Sequence, residues 1–244
     1  MEKIQEEIIY PIRINRYLAL QKICSRREAD QFIAEGKISI NGQVAKLGDK
    51  VKATDKVEVT KALGKDYVYL AFNKPKGIIT HSPQGGEKSI EEIVKYSPKV
   101  SPVGRLDKDS WGLIILSNDG RIVDSILNPE REHEKEYVVT VNKLVEPDFV
   151  KKMSAGVKLD DGYVTKKCVV KKKSPFTFAL VLTEGKKHQI RRMCQMLGYN
   201  TVDLKRVRVL NVEIGTVMPG QYRKIEGGER VEFLKLMGIQ DLAK

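Results

Sequence analysis

Near the start of the chain, apolar positions recur at helical spacing and then switch to alternation. Ile14, Tyr17, Leu18 and Ile23 fall on one face of a short helix, and Ala29, Phe32 and Ile33 on one face of a second, the spacing of a helix that buries a single stripe. The second helix carries its own start and stop. Ser25-Arg26-Arg27-Glu28 is a capping box, in which serine hydroxyl and glutamate carboxylate each serve a backbone N–H of the first turn, and Gly36 ends the helix. The period then changes to two. Ile38-Ser39-Ile40 and Val44-Ala45 flank Asn41-Gly42, a two-residue hairpin signal because these residues tolerate the positive φ that the turn needs. Val51 and residues 57–59 supply further short strands, so residues 12–60 are expected to form a small domain of their own.

A polar, glycine-punctuated stretch at residues 62–66 reads as a linker, and a second pattern follows it. Residues 67–73 are aromatic and β-branched and predict a strand; Lys74-Pro75-Lys76-Gly77 is a turn, residues 78–80 a short strand, and Ser89-Ile90-Glu91-Glu92 the start of a helix. Residues 112–117 are a continuous apolar run of strand length, which predicts a strand buried on both faces. Residues 121–127 predict a helix ended by Asn128-Pro129; a strand follows at 136–141, a helix at 147–155, and strands at 164–170 and 176–182. Residues 187–197 give an amphipathic helix stopped by Gly198, with Ile190, Met193, Cys194 and Leu197 inward and His188, Arg191, Arg192 and Gln195 outward. One or two strands at 202–214 and a helix at 229–237 complete the pattern. Strands in runs with scattered helices predict an α+β fold around a mixed or antiparallel sheet over residues 66–240.

Charge sharpens this picture. The chain of 244 residues has a net charge of +12, and the excess is local: residues 166–208 hold twelve Lys or Arg against the two acids Glu184 and Asp203. A polyanionic partner is the natural expectation. The longest apolar run is too short to span a bilayer, and the acidic start (Glu2, Glu6, Glu7) does not resemble a signal peptide. Three dispersed cysteines and three dispersed histidines give neither a disulfide framework nor a zinc site, and no glycine-rich dinucleotide or phosphate loop is present. A cytoplasmic protein without metal or cofactor is expected.

Candidate chemistry concentrates at Asp107, in a charged turn just ahead of the buried strand, where a rigid element can hold a loop side chain in place. From the residues alone several readings stand. Asp107 beside Arg105 can be an ordinary turn aspartate. With Asp109 and Asp119 it can contribute to a Mg²⁺-dependent nuclease or phosphotransferase site, or it can be a single carboxylate acting directly on substrate, since Asp109-Ser110 and Asn118-Asp119-Gly120 are themselves turn-like. The charge together with the small unit at residues 12–60 also suits a non-catalytic rRNA-binding or assembly factor.

Two resemblances narrow these readings. Arg-Ile-Asn-Arg-Tyr-Leu, Cys-Ser-Arg-Arg-Glu-Ala-Asp and Ile-Ala-Glu-Gly-Lys-Ile-Ser-Ile-Asn-Gly in residues 12–60 resemble the S4 domain, an RNA-binding module, which implies RNA contacts from Arg16, Arg26 and Arg27. Gly-Arg-Leu-Asp-Lys-Asp-Ser-Trp-Gly-Leu-Ile-Ile-Leu-Ser-Asn-Asp-Gly, starting at Gly104, resembles the signature of RNA pseudouridine synthases, with Lys135-Glu136-Tyr137 and Gln189-Ile190-Arg191-Arg192-Met193 similar to their second and third motifs. The two together resemble the group of ribosomal synthases that joins the small-subunit type A with the large-subunit types B, E and F. Within that group His-Glu-Lys-Glu-Tyr, Met-Ser-Ala-Gly-Val and Val-Thr-Lys-Lys-Cys most resemble the F branch, which acts on 23S rRNA. His188 departs from the arginine common at that position. The resemblance implies Asp107 as catalytic carboxylate, Tyr137 packed on the target base, and Arg191 paired with Asp107. Arg105, Leu106, Lys108, Lys187, His188, Gln189, Ile190 and Arg192 are then expected along the RNA entry. The reaction breaks the bond from ribose C1′ to N1, turns the freed uracil and rejoins it through C5, which calls for no metal or cofactor. Asp107 could attack C1′ or C6, or take the C2′ proton. Large-subunit rRNA is the expected substrate, with 16S rRNA or tRNA as alternatives, and a monomer is expected.

Overall fold

Capping and turn chemistry set the ends of the N-terminal elements. The computed structural model describes residues 8–60 and 66–241. The chain divides into two compact units, one built on residues up to Tyr67 with residues 119–122, the other on residues 68–118 and 123–241. Apart from Asp66, the expected linker lies outside the described residues.

The first unit runs β1 (Ile12–Arg13), α1 (Ile14–Leu20), α2 (Arg26–Ala34), β2 (Ile38–Ile40), β3 (Gln43–Val44), β4 (Lys50–Val51) and β5 (Val57–Val59). The capping box forms: Ser25 N donates to Glu28 Oε2 at 2.9 Å and Glu28 N to Ser25 Oγ at 3.3 Å. Asn41 and Gly42 take φ of 52° and 80°, and β2 pairs antiparallel with β3 and β5. The core holds the helical stripe of the sequence pattern, Ile14, Leu18, Ala29, Phe32 and Ile33, against Ile38 and Val51.

The second unit contains β6 (Tyr69–Lys74), α3 (Ile90–Ile93), β7 (Ser101–Val103), β8 (Trp111–Ser117), α4 (Arg121–Leu127, its first two residues counted with the first unit), β9 (Lys135–Val141), α5 (Pro147–Ala155), β10 (Val169–Ser174), β11 (Thr177–Leu182), α6 (Gln189–Met196), β12 (Thr201–Val209), β13 (Val212–Glu213), β14 (Tyr222–Lys224) and α7 (Gly227–Leu236). One sheet orders them β10-β11-β9-β12-β8-β6-β14, with β7 beside β8 and β13 beside β12. Only the β12–β8 pair is parallel, so the sheet is mixed and the fold is α+β. Residues 112–117 are buried throughout, as their apolar run predicts. Gly112 is required there: its φ is +107°, and a Cβ would meet Arg206 O at 2.2 Å. α5 and α6 cover one face, where Phe149, Met153, Ile190, Met193 and Cys194 pack on Val139, Phe178, Leu180 and Leu204. No helix among the described residues is long and apolar enough to cross a membrane.

Local hydrogen bonding moves several elements from their expected places. The strand expected at 164–170 forms instead as β10, because the backbone before it is already committed: Thr165 N donates to Val157 O, Lys166 N to Glu184 Oε1 and Cys168 N to Ser154 O, each at 3.0 Å. Pairing with β11 starts only at Val169 and carries the strand through Lys171, Lys172 and Lys173. Residues 78–80 make a single bridge, Ile79 to Ser89. α6 begins at Gln189 and not at Lys187, since His188 sits at φ 51°, ψ 29°, outside the helical region. β7 and β14, three residues each, are too short for alternation to register in sequence.

Candidate active site

A cleft of about 640 Å³ opens in the second unit between the Asp107 turn, β9, β12 and the loop entering α6. Asp107 lies on the turn between β7 and β8, closed by Ser110 N donating to Asp107 O at 3.1 Å. Its carboxylate is 41% exposed and faces the cleft.

The residues around Asp107 are clamped through their backbone. Thr80, 3% exposed, donates from Oγ1 to Leu106 O at 2.8 Å and accepts from Leu106 N at 3.1 Å, so one hydroxyl satisfies both backbone groups of the preceding residue. On the far side Gly77 N donates to Lys108 O at 2.9 Å. Lys74, wholly buried, directs its ammonium to Ile78 O at 2.6 Å, Pro75 O at 3.0 Å and Lys108 O at 3.4 Å. Burial pushes the Lys74 amine down to about 8, an effect the nearby Asp107 and Asp109 carboxylates oppose. Arg206, 5% exposed, donates from Nε to Leu113 O at 2.6 Å and from Nη1 to Arg105 O at 3.3 Å. These three side chains, none of them expected from sequence as site residues, fix the turn. Buried polar groups of this kind are costly unless paired, which is why each reaches a backbone carbonyl.

Tyr137 and Lys135 reach the cleft from β9, and burial, reinforced by Arg206, pushes the Lys135 amine down to about 8. The opposite wall is the loop before α6. Glu184, 4% exposed, accepts from Lys166 N at 3.0 Å, Gln189 Nε2 at 2.7 Å and the Tyr163 hydroxyl at 2.5 Å, and this bond holds the phenol above its usual range. Gln189 in turn accepts from Lys186 N at 2.9 Å. Lys187 and His188 line the cleft on this wall, and His188 Nε2 stands 3.7 Å from Asp107 Oδ1.

The expected site residues divide accordingly. Arg105, Leu106, Asp107, Tyr137, Lys187, His188, Gln189 and Ile190 meet in the cleft, with Ile190 and Leu106 as apolar wall. The ion pair between Arg191 and Asp107 is not formed: Arg191 Nη2 donates instead to Asp109 O and Ser110 Oγ, both at 3.3 Å, because the turn presents these atoms to the first turn of α6. Arg192 is also placed outside the cleft lining, its guanidinium taken by Asp160 and by Asp161 at 2.8 Å. Lys108 is drawn away too, its ammonium 2.8 Å from Glu87. Gln189 is buried and serves Glu184. Arg16, Arg26 and Arg27 are exposed on α1 and α2 of the first unit. Asp119 is buried in a 2.8 Å pair with Arg121, and no three acidic, histidine or cysteine side chains gather at metal-binding distance among the described residues. Lys135 was legible as part of its motif; Thr80, Lys74 and Arg206 carry no local signal, since each acts at a distance in sequence.

Comparison with known proteins bears on this arrangement. Residues 68–196 match the RNA pseudouridylate synthase family and residues 12–57 the S4 domain. The chain is 44% identical to the dual-specificity RNA pseudouridine synthase RluF of Escherichia coli K12 over 93% of its own length and 79% of that protein's. It is 31% identical to the ribosomal large subunit pseudouridine synthase B of Bacillus subtilis, over 87% of this chain and 91% of that one. A crystal structure of a pseudouridylate synthase superposes with a TM-score of 0.67 at 26% identity, covering 92% of this chain and 99% of that one. With its S4 unit and its mixed-sheet unit, the chain belongs to the RNA pseudouridine synthases.

Proposed function

We propose that this enzyme isomerises uridine in ribosomal RNA with Asp107 as the catalytic carboxylate, using neither metal nor cofactor. The observation that carries the reading is the Asp107 turn: a carboxylate open to the cleft on a backbone pinned at Arg105, Leu106 and Lys108. Attack on C1′ or C6 and removal of the C2′ proton all ask the protein for this, an ionised oxygen held at a fixed point beside the ribose. Tyr137, in the same cleft, is suited to stack on the uracil and keep it while the base turns. Ile190 and Leu106 close the apolar side, so the freed base is retained. Arg191 steadies the turn through Asp109 and Ser110 in the arrangement seen.

Arg105, Lys187 and His188 at the cleft mouth, with Arg16, Arg26 and Arg27 on the first unit, are the proposed phosphate contacts. A uridine must leave its stack to enter, which is least costly in loops and bulges. Large-subunit rRNA is the favoured substrate, since one relative carries that name; a second RNA is the alternative, because another is named dual-specificity. A monomer suffices for the chemistry, as every proposed group lies on one chain.

The test is release of tritium from C5 of uridine in rRNA fragments incubated in EDTA, with strand length checked on a gel. Release from intact strands is expected, and Asp107→Asn should lower it at least about 1,000-fold while RNA affinity stays within about twofold. Activity of the variant near that of the unaltered enzyme, or strand cleavage, would sink the assignment.

A further inference from the structure

The cleft uses one face of the sheet; the other face has its own chemistry. Strand register places Trp111 beside Lys205, Lys205 opposite Val138, Val138 opposite Ala179, and Ala179 opposite Lys171. These five form one row across β8, β12, β9, β11 and β10. The next row, Arg206, Tyr137, Leu180 and Val170, points the other way, into the cleft and the helix-covered core. Paired residues share a face and successive residues alternate, so the Trp111 row lies on the side away from α5 and α6.

That face is shaped and charged. Its centre is small, Val138 and buried Ala179, while its flanks carry long side chains: Trp111 and Lys205 on one side, exposed Lys171 on the other; Lys173 sits in a bulge between Lys172 and Ser174 and has no register partner. From Lys205 to Lys171 is three strand spacings, about 14 Å, enough for one nucleic-acid strand to lie between them. The Lys205 ammonium rests over the Trp111 ring at 4.5 Å, and exposed Lys171 makes no ion pair among the described residues. The acids of this face are already engaged: Asp203 by Lys76 at 2.5 Å and by the Trp111 indole N–H, and Glu136 by Arg208 at 3.1 Å. What remains is an uncompensated positive trough with an aromatic at its edge, the combination that holds single-stranded nucleic acid by phosphate contact and stacking.

We propose that this face is a second RNA surface, on which single-stranded RNA lies along the trough with phosphates on Lys171 and Lys205 and a base on Trp111. It rests on the reading of the chain as an enzyme acting on RNA. Lys205 leaves the ring for a phosphate as a base takes its place. The interaction is sequence-independent, since every base has a π face.

Trp111 is the only tryptophan of the chain, so its fluorescence reports on this face alone. The full-length protein is titrated with end-labelled oligoadenylate, which holds no uridine to enter the cleft, following tryptophan emission and label anisotropy together. Quenching that saturates with the anisotropy is expected. K171E/K205E should weaken binding about tenfold and lower the slope of log affinity against log salt by about 1.4, two single-strand contacts. W111F, read by anisotropy, should weaken binding about fivefold or more. Unquenched Trp111 at full anisotropy change overturns the proposal. So does an unchanged salt slope in K171E/K205E, including the case where that variant self-associates because Lys171 only guards an edge strand, or where an acidic peptide binds the face and RNA does not. Both variants alter exposed or half-exposed groups, and W111F keeps an aromatic ring, so a thermal melt separates lost binding from lost fold. Oligoadenylate quenching without uridine conversion would defeat the functional reading and leave this one; conversion with silent Trp111 would do the reverse.

Discussion

The two walls of the cleft are both charged loops ahead of a regular element, β8 on one side and α6 on the other, yet they are held in opposite ways. The Asp107 wall is fixed by buried side chains far off in sequence: Thr80 acts 26 residues away, Lys74 34 and Arg206 101. The α6 wall is fixed mostly from within, by Glu184 on Gln189 five residues on and Gln189 on Lys186 three residues back, with Tyr163 and Lys166 as outside support. On the first wall the clamps grip backbone and leave the Asp107 carboxylate accessible. On the second a buried carboxylate is itself the clamp, and the exposed groups are cations. The chemistry of the proposed reaction asks for this division, since the reacting group has to be placed more tightly than groups that meet a flexible phosphate chain.

The largest break in this comparison is expected from Thr80→Val, which keeps the shape of the side chain but strands the N–H and C=O of Leu106 in a buried place. Stability should fall by about 2–4 kcal/mol in urea unfolding, two orphaned groups at the usual cost, and kcat should fall more than KM rises. Thr80→Ser, which keeps the hydroxyl, should restore most of both. A loss below about 0.5 kcal/mol for the valine variant would mean that the turn stands without this clamp.

Lys74 gives the next effect, and its sign is specific. Its folded-state amine is lowered to about 8 from the ordinary 10.5, so between those values the unfolded chain binds more protons than the folded one. Stability relative to Lys74→Met should therefore rise with pH from about 8 to about 10.5, by roughly 1 kcal/mol per pH unit, and be flat below 8. Urea midpoints of the two proteins at pH 7, 8, 9 and 10 provide the check; parallel curves would show that the ammonium is not desolvated.

Tyr163→Phe on the other wall should do least, about 1 kcal/mol, because Glu184 keeps its bonds to Lys166 N and Gln189. Its effect on kcat should be smaller than that of Thr80→Val. The opposite order would mean that the α6 wall, and not the Asp107 wall, sets the geometry.

The same contrast separates what is readable in the chain from what is not. In the S4 unit the capping box, the Asn-Gly turn and the helical stripe were legible because they are local devices, while Ile23, expected on the first helix, lies beyond its Gln21 cap. The buried run at β8 announced its strand, and the residues around Asp107, Tyr137 and Gln189 carried the family resemblance. β10 was misplaced because Thr165, Lys166 and Cys168 are tied to partners as far as Glu184, 18 residues away from Lys166, and no periodicity records such ties. Arg191 was expected on Asp107, and the fold turned its guanidinium to Asp109 and Ser110.

By itself, then, the sequence determined the two-unit organisation, the α+β class and the family motif that carries the Asp107 carboxylate, since these depend on patterns and motifs within short stretches. Tertiary structure decided which buried groups hold that carboxylate, which cations reach the cleft, and that Trp111 and Lys171 share a face. Each of these depends on strand register and on the pairing of buried polar groups across long separations, a constraint imposed by the cost of burying them alone and visible only once the chain is folded.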